Sequence, residues 1–347
     1  MGNIKADGGG VERSADVALI YVGSYGSGIR CFRQNLDTGE LTVAHPPLDV
    51  ADPSFLAWHP SGAYLYAVCE RDPGRIAAVA VAEDGSLTLL NTEPTGGTSP
   101  CHLAIDAEGE FAVVANYSSG SVSVHPVRAG QVGARTDLVQ HTGTGPNAER
   151  QEGPHAHMVS FTKYPRMVLV TDLGTDQIMT YRLEPEGTLT QMGSAAMTPG
   201  SGPRHMAHHE SGRLYIDGEL DTMVDICEVR ASGAMIRSVE RHSAMVGEVP
   251  SGNLPSHLEL HGKHLYVANR GANCISVFET DPWRPVIDVP TGGDWPRHFA
   301  IANGFMYVAN QNSGDIAVSR LDGGVPGGFQ FAAEVPGASC VLPVQSS

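Results

Sequence analysis

One phrase recurs along this 347-residue chain at intervals of about 41 to 54 residues, and a repeat of that length limits the fold more than any other feature of the sequence. Each copy opens with Pro, a variable residue and then His or Phe, and runs into a short apolar strand. A turn follows, then a second strand of the form Tyr-Val-Ala-Asn, then a Gly- or Ser-containing turn into a third. The openings are Pro53-Ser54-Phe55, Pro100-Cys101-His102, Pro203-Arg204-His205, Pro255-Ser256-His257 and Pro296-Arg297-His298, with a variant at Pro154-His155-Ala156-His157. The second strands align as YVGSY (21–25), YAVCE (66–70), VVANY (113–117), LVTDL (169–173), YIDGE (215–219), YVANR (266–270) and YVANQ (307–311).

Third strands follow, such as GSVSVHPV (120–127) and NCISVFE (273–279), and fourth strands are marked by GSLTLLNTE (85–93) and GTLTQMGS (187–194). Gly, Asp or Asn bounds these runs, and no 3.6-residue periodicity is sustained anywhere. Four short strands per unit, repeated radially, predict an all-β propeller; a sandwich or a pair of barrels would not repeat whole phrases in register. Six openings stand against seven second strands. The first second strand lacks an opening, and Ala338-Ser339-Cys340-Val341-Leu342 is an opening strand without a blade. The prediction is therefore a seven-bladed β-propeller in which the N- and C-terminal segments pair in one blade and remove the exposed edges. Residues 18–347 are expected to form this single domain, and residues 1–17, which lack the apolar core of a signal peptide, to be disordered.

Charge restricts the partners. With 38 acidic residues against 22 Lys and Arg, the formal net charge is −16. Such a chain repels nucleic acid and anionic membranes as a whole, so an anionic small molecule needs a local cluster of cations. The six cysteines are scattered with no Cys-x-x-Cys pair, which fits buried free thiols and a cytoplasmic location. No apolar run approaches the ~18 residues of a membrane span. Nothing supports a serine hydrolase of the usual sort, a nucleotide phosphate site or a nicotinamide cofactor, since neither a Gly-x-Ser-x-Gly elbow nor a phosphate-binding Gly-x-x-x-x-Gly-Lys loop is present, and no cofactor is expected.

In a propeller the innermost strands line a central channel, so residues that recur at their ends meet around one axis. Two rings can be read from the alignment. After the second strand come Tyr25, Glu70, Tyr117, Leu173, Glu219, Arg270 and Gln311; at the openings come Ser54, Cys101, His157, Arg204, Ser256 and Arg297. A shift of a residue or two would exchange His157 for His155, which period-two alternation places on the same side of the strand. Three arginines thus occupy ring positions beside Glu219 and a histidine pair. Arginine offers a rigid fork of donors for carboxylate or phosphate, and histidine is the commonest proton carrier near neutral pH.

The stretch from Gly145 to His157 (GPNAERQEGPHAH), with SPCHLAIDAEGEFAVVANYSSGSVSV (99–124), GPRHMAHHESGRLYIDGEL (202–220) and YVANRGANCISVF (266–278), resembles the bacterial propeller lactonases, the 6-phosphogluconolactonase and carboxymuconate-cyclase family. The resemblance runs from about Ala18 to Val344. It implies a lactone hydrolase, without cofactor or metal, whose active-site set of one His, two Arg and one Glu falls on His155 or His157, Arg204, Arg270 and Glu219. Arg297, Glu70, Tyr117 and Gln311 would then face the substrate, a small anionic lactone, in a monomer or homodimer. The first hairpin, GSYGSGIRCF (23–32), is shorter than the resemblance leads one to expect, which would alter the rim of the pocket.

Each residue also has a plainer reading. His102, His205, His257 and His298 recur whatever else their blade carries, as a structural group bonding a neighbouring strand would. A His-x-His pair suits a metal, but no third ligand has a specific claim. His208 and His209 follow a strand and belong on the surface. Arg204 and Glu219 could simply tie blades together, and Glu70 shares the ring position of Glu219. Two other functions use the same frame: a cycloisomerase that closes a carboxymuconate-type dicarboxylate to a lactone, and a propeller that serves only as a binding platform.

Overall fold

The computed structural model describes residues 18–26, 28–230 and 235–344; the N-terminal residues 1–17, expected to be disordered, lie outside them. The described residues form strands and turns, without helix, in seven antiparallel sheets. We number the blades by their innermost strands: Pro53–Trp58 in blade I, Pro100–Ile105 in II, Ala156–Phe161 in III, Pro203–His208 in IV, Leu254–His261 in V, Pro296–Ala302 in VI and Ala338–Pro343 in VII. Blade VII joins the two ends of the chain. Its innermost strand pairs with Leu19–Ser24, matching Tyr21 with Leu342 and Val22 with Val341, and Ile29–Gln34 and Leu41–Leu48 complete the sheet.

In four blades the repeated Tyr of the second strand locks the blade to the next. Tyr21 donates its hydroxyl to the Gly85 carbonyl (2.8 Å), Tyr66 to Gly130 (3.1 Å), Tyr266 to Gly324 (2.5 Å) and Tyr307 to Gly39 (2.8 Å). Each acceptor lies in an outer hairpin of the following blade. Gly85 is needed there: its φ is +88°, and a Cβ would lie 2.1 Å from the Leu19 side chain. A satisfied buried hydroxyl contributes about 1 kcal/mol net, and its ring removes a large apolar surface from water. The apolar cores fill the spaces between blades, as where Val68, Ile76 and Ala78 of blade I meet Leu103 and Val114 of blade II.

The openings carry the feature that builds a site. In blades I, II, III, V and VI the register slips by one residue at Ser54, Cys101, His157, Ser256 and Arg297, and in blade IV the slip covers Arg204 and His205. These are β-bulges, which turn a side chain out of the alternating pleat. Just before the opening proline the chain takes a left-handed turn at Asp52, Ser99, Gly202 and Trp295, and in blade VII Gly337 does so before Ala338. The carbonyls of these residues accept the backbone N–H groups of Glu70, Tyr117, Glu219, Gln311 and Tyr25. One local device therefore fixes both rings at the same end of the channel.

Candidate functional site

Glu219 is the centre of the cluster. It follows the second strand of blade IV and is only 3% exposed. Its Oε2 lies 2.9 Å from Arg204 Nε of the same blade and 2.7 Å from Arg270 Nη2 of blade V. Its Oε1 accepts a hydrogen bond from Arg150 Nη2 at 2.5 Å. The Arg204–Glu219 pair is thus internal to one blade, and Arg270 makes the link across blades. Burial alone would push the Glu219 carboxyl up, but the guanidinium groups of Arg270, Arg204 and Arg150 hold it well below the usual carboxylate range.

The three arginines are held differently. Arg270 is anchored on its own blade, donating from Nε to the Leu254 carbonyl and from Nη2 to the Pro255 carbonyl, both at 3.1 Å, while its guanidinium lies over the Trp295 ring. Arg204 is 2% exposed, and its Nη1 has no hydrogen-bond partner among the described residues. A buried guanidinium N–H left open is costly unless something is meant to bind it. Arg150 comes from the loop between blades II and III. It also donates to the Tyr117 hydroxyl at 3.3 Å.

A second pair lies across the channel. Arg297 Nη2 is 3.7 Å from Glu70 Oε2, which accepts a hydrogen bond from the Tyr25 hydroxyl at 2.6 Å. Arg297 Nη1 also donates to Gln311 Oε1 at 3.3 Å, and its guanidinium lies over the Tyr25 ring. Tyr25, on the short first hairpin, therefore faces the channel. Glu70 and Glu219 share a ring position but not an environment, since three guanidinium groups meet Glu219 and one approaches Glu70. Counting four arginines and two glutamates, the site carries two net positive charges in a chain of net charge −16.

The two candidate histidines separate. His157 is the bulge residue of blade III, in register with Arg204, and is 4% exposed. Burial, with the charge of Arg204, holds its imidazole well below the ordinary value, and Glu219 partly opposes this, so the ring is neutral at physiological pH. His155 lies before the strand, where simple alternation does not reach it. Its Nδ1 is 3.0 Å from the Tyr117 carbonyl, its Nε2 is 3.2 Å from Glu152 Oε1, and its ring stacks on Tyr117. Both His155 nitrogens are engaged, while His157 stands with the cations.

Beneath the rings, Phe55, His102, His205, His257 and His298 pack around the axis with ring centroids 4.0–6.3 Å apart. As a structural role requires, His102 Nδ1 accepts the Val159 N–H of the next blade and His298 Nδ1 accepts that of Val341. Burial keeps His102 and His298 neutral, lowering each to about 3. His208 and His209 lie on the surface at the far end of their strand, in a groove with Lys163, Tyr164 and Arg213, away from the arginines. Among the described residues no group of three or more His, Cys, Asp or Glu is placed to hold a metal ion.

Sequence reasoning did not single out Arg150, Trp295 or Asp217. Arg150 stood inside the quoted 145–157 stretch but has no counterpart in other blades. Asp217, two residues before Glu219, accepts the His205 N–H at 2.5 Å, and burial pushes its carboxyl up to about 7 in spite of Arg204.

Comparison with known proteins agrees with the seven-bladed fold. Residues 19–343 match the family model described as lactonase, 7-bladed beta-propeller. The chain is 35% identical over 289 residues to the 6-phosphogluconolactonase of Bacillus subtilis, covering 79% of this chain and 82% of that one. It is 30% identical over 274 residues to the 6-phosphogluconolactonase of Formosa agariphila, covering 74% and 77%. The periplasmic gluconolactonase of Pseudomonas aeruginosa superposes with a TM-score of 0.87 at 26% identity, over 95% of this chain and 99% of that one.

Proposed function

This chain belongs to the lactonase family of seven-bladed β-propellers, and on that premise we propose that it hydrolyses an anionic sugar-acid lactone, 6-phosphogluconolactone or a related aldonolactone. The observation that carries this reading is a buried, unpaired Arg204 N–H beside a site with excess positive charge.

In this reading the lactone carbonyl oxygen sits against Arg204 and Arg270. Their donors are in place before the reaction, because Arg270 is fixed by two backbone carbonyls and both guanidinium groups by Glu219. His157, neutral and therefore free to accept, takes a proton from water as the oxygen attacks the carbonyl carbon. The arginines stabilise the resulting oxyanion. The tetrahedral intermediate collapses with cleavage of the ring C–O bond, and the imidazolium returns its proton to the departing ring oxygen. Glu219 has both oxygens occupied by cations, so it orients the guanidinium groups and stabilises the imidazolium, and the proton passes through His157. Arg297, Glu70, Gln311 and Tyr117 face the remainder of the sugar acid.

A donor aimed at a developing oxyanion is worth about 3 kcal/mol, or 100- to 1,000-fold in rate. Turnover of sugar lactones with and without a phosphate, at a pH where spontaneous opening is slow, tests the reading. Arg204→Ala should lower turnover by about 100-fold or more while circular dichroism shows an intact sheet. Full lactonase activity in that variant would refute the assignment. An ultraviolet assay with a carboxymuconate separates hydrolysis from cycloisomerisation.

A further inference from the structure

Arg150 is the one arginine around Glu219 that solvent reaches. Its side chain is 36% exposed, against 3% for Arg204 and 6% for Arg270. It is also the one whose backbone belongs to no blade. The loop beneath it is nonetheless rigid. Gln151, fully buried, donates from Nε2 to the Leu173 carbonyl at 2.9 Å and to Asp176 Oδ1 at 2.7 Å. Its backbone N–H bonds the Asn147 carbonyl at 2.7 Å, and its Oε1 accepts the Asn147 N–H. The Arg150 N–H itself reaches Asn147 Oδ1. A fixed loop therefore carries a long side chain that is partly open to solvent. Its guanidinium bridges Glu219 and the Tyr117 hydroxyl, beside the buried arginines that share Glu219.

Arg204 and Arg270 are enclosed, and Arg270 spends two of its donors on backbone carbonyls. Arg297 is 18% exposed and engaged with Glu70, Gln311 and the Tyr25 ring, so for a charge on the far side of the lactone ring, away from the carbonyl, the cation more open to solvent is Arg150. Arg150 has the reach, the exposure and an incompletely used fork for that contact. We propose that Arg150 is a specificity residue that grips the anionic tail of the lactone, a phosphate or a carboxylate, and so orients the ring over Arg204. The proposal rests on the lactonase reading and deepens it. Arg150 is a binding and positioning group, with no bond made or broken at it.

The test compares wild type with Arg150→Gln and Arg150→Lys on 6-phosphogluconolactone and on unphosphorylated gluconolactone, with melting curves to establish that each variant is folded. For Arg150→Gln, KM for the phosphorylated lactone should rise at least tenfold more than KM for the neutral one, and kcat should change less than KM. Arg150→Lys should recover part of the loss, since it restores the charge without the fork. Equal losses on both lactones, or no selective rise in KM, would overturn the proposal. Competitive inhibition by inorganic phosphate and by succinate identifies the tail, because the inhibitor whose binding depends on Arg150 shares its chemistry; inhibition by neither that depends on Arg150 counts against the proposal. Should wild type open no lactone, the hydrolase reading fails by itself. Calorimetry with 6-phosphogluconate then decides the inference: binding to wild type that Arg150→Gln weakens tenfold or more upholds it, and equal or absent binding overturns it.

Discussion

Replacing Glu219 by Gln keeps the shape of the side chain and removes one negative charge from among three positive ones. Arg204 and Arg270 approach the same oxygen at 2.9 and 2.7 Å, so the two nitrogens are within about 6 Å of each other, and two unit charges at that distance repel by about 3 kcal/mol at an effective dielectric of about 20. Breaking a buried ion pair from one side costs about 3–5 kcal/mol by a separate route. The two figures agree, and for a domain of this size they correspond to a fall in Tm of roughly 4–7 °C. A mobile anion should partly replace the lost carboxylate. In differential scanning fluorimetry Glu219→Gln should therefore melt well below wild type and regain more stability than wild type when sulfate replaces chloride at equal ionic strength. Wild type is the control for the general stabilising effect of sulfate. A variant that melts within 1 °C of wild type, or a sulfate response equal in both proteins, would refute the claim that this carboxylate holds the arginines together.

Further expectations concern the histidines. His157→Gln should lower kcat by about 100-fold or more, the usual contribution of a general base, and His155→Gln by less than about tenfold; the reverse order in steady-state kinetics would transfer the role to His155. The axial histidines should make the fold acid-sensitive. His298 is neutral in the fold, with its value lowered from 6.5 to about 3, so the unfolded chain takes up the proton first as pH falls below 6.5. The stability this neutrality confers is complete above pH 6.5 and is lost progressively toward pH 3, by about 1.4 kcal/mol per pH unit. Asp217 and Glu259, each raised to about 7, work in the opposite direction, gaining stability as pH falls from about 7. A difference measurement isolates the histidine: between pH 7 and pH 5, His298→Gln should gain about 2 kcal/mol on wild type in urea melts. Parallel pH dependences would refute it.

The blade count, the closing blade and the ring positions were legible because most blades solve the same local problem with the same kinds of residue. The tyrosine that reaches the next hairpin, the proline that opens the innermost strand and the bulge residue each recur in most blades, and the phrase is their trace. The choice between His155 and His157 was not legible, because no residue type marks a bulge and alternation alone treats the two alike. Glu70 and Glu219 were equivalent by position, and what separates them is which arginines fold against them. Arg150 belongs to a loop without a repeat, so alignment of blades could not find it. Asp217 was hidden in a strand whose other copies carry Gly, Val, Ala or Thr at that position.

The pairing of Ala338–Pro343 with Leu19–Ser24 has a consequence for synthesis. The innermost strand of blade VII is the last of the described strands to be synthesised, so until it emerges the nascent chain can build only an open arc whose first blade lacks its axial strand. Ser339, whose hydroxyl bonds the Ser54 carbonyl of blade I, is among the groups that then join the start of the chain to its end. Assembly of a closed ring, and with it relief from exposed strand edges that other chains could capture, therefore waits on the last strand of the propeller.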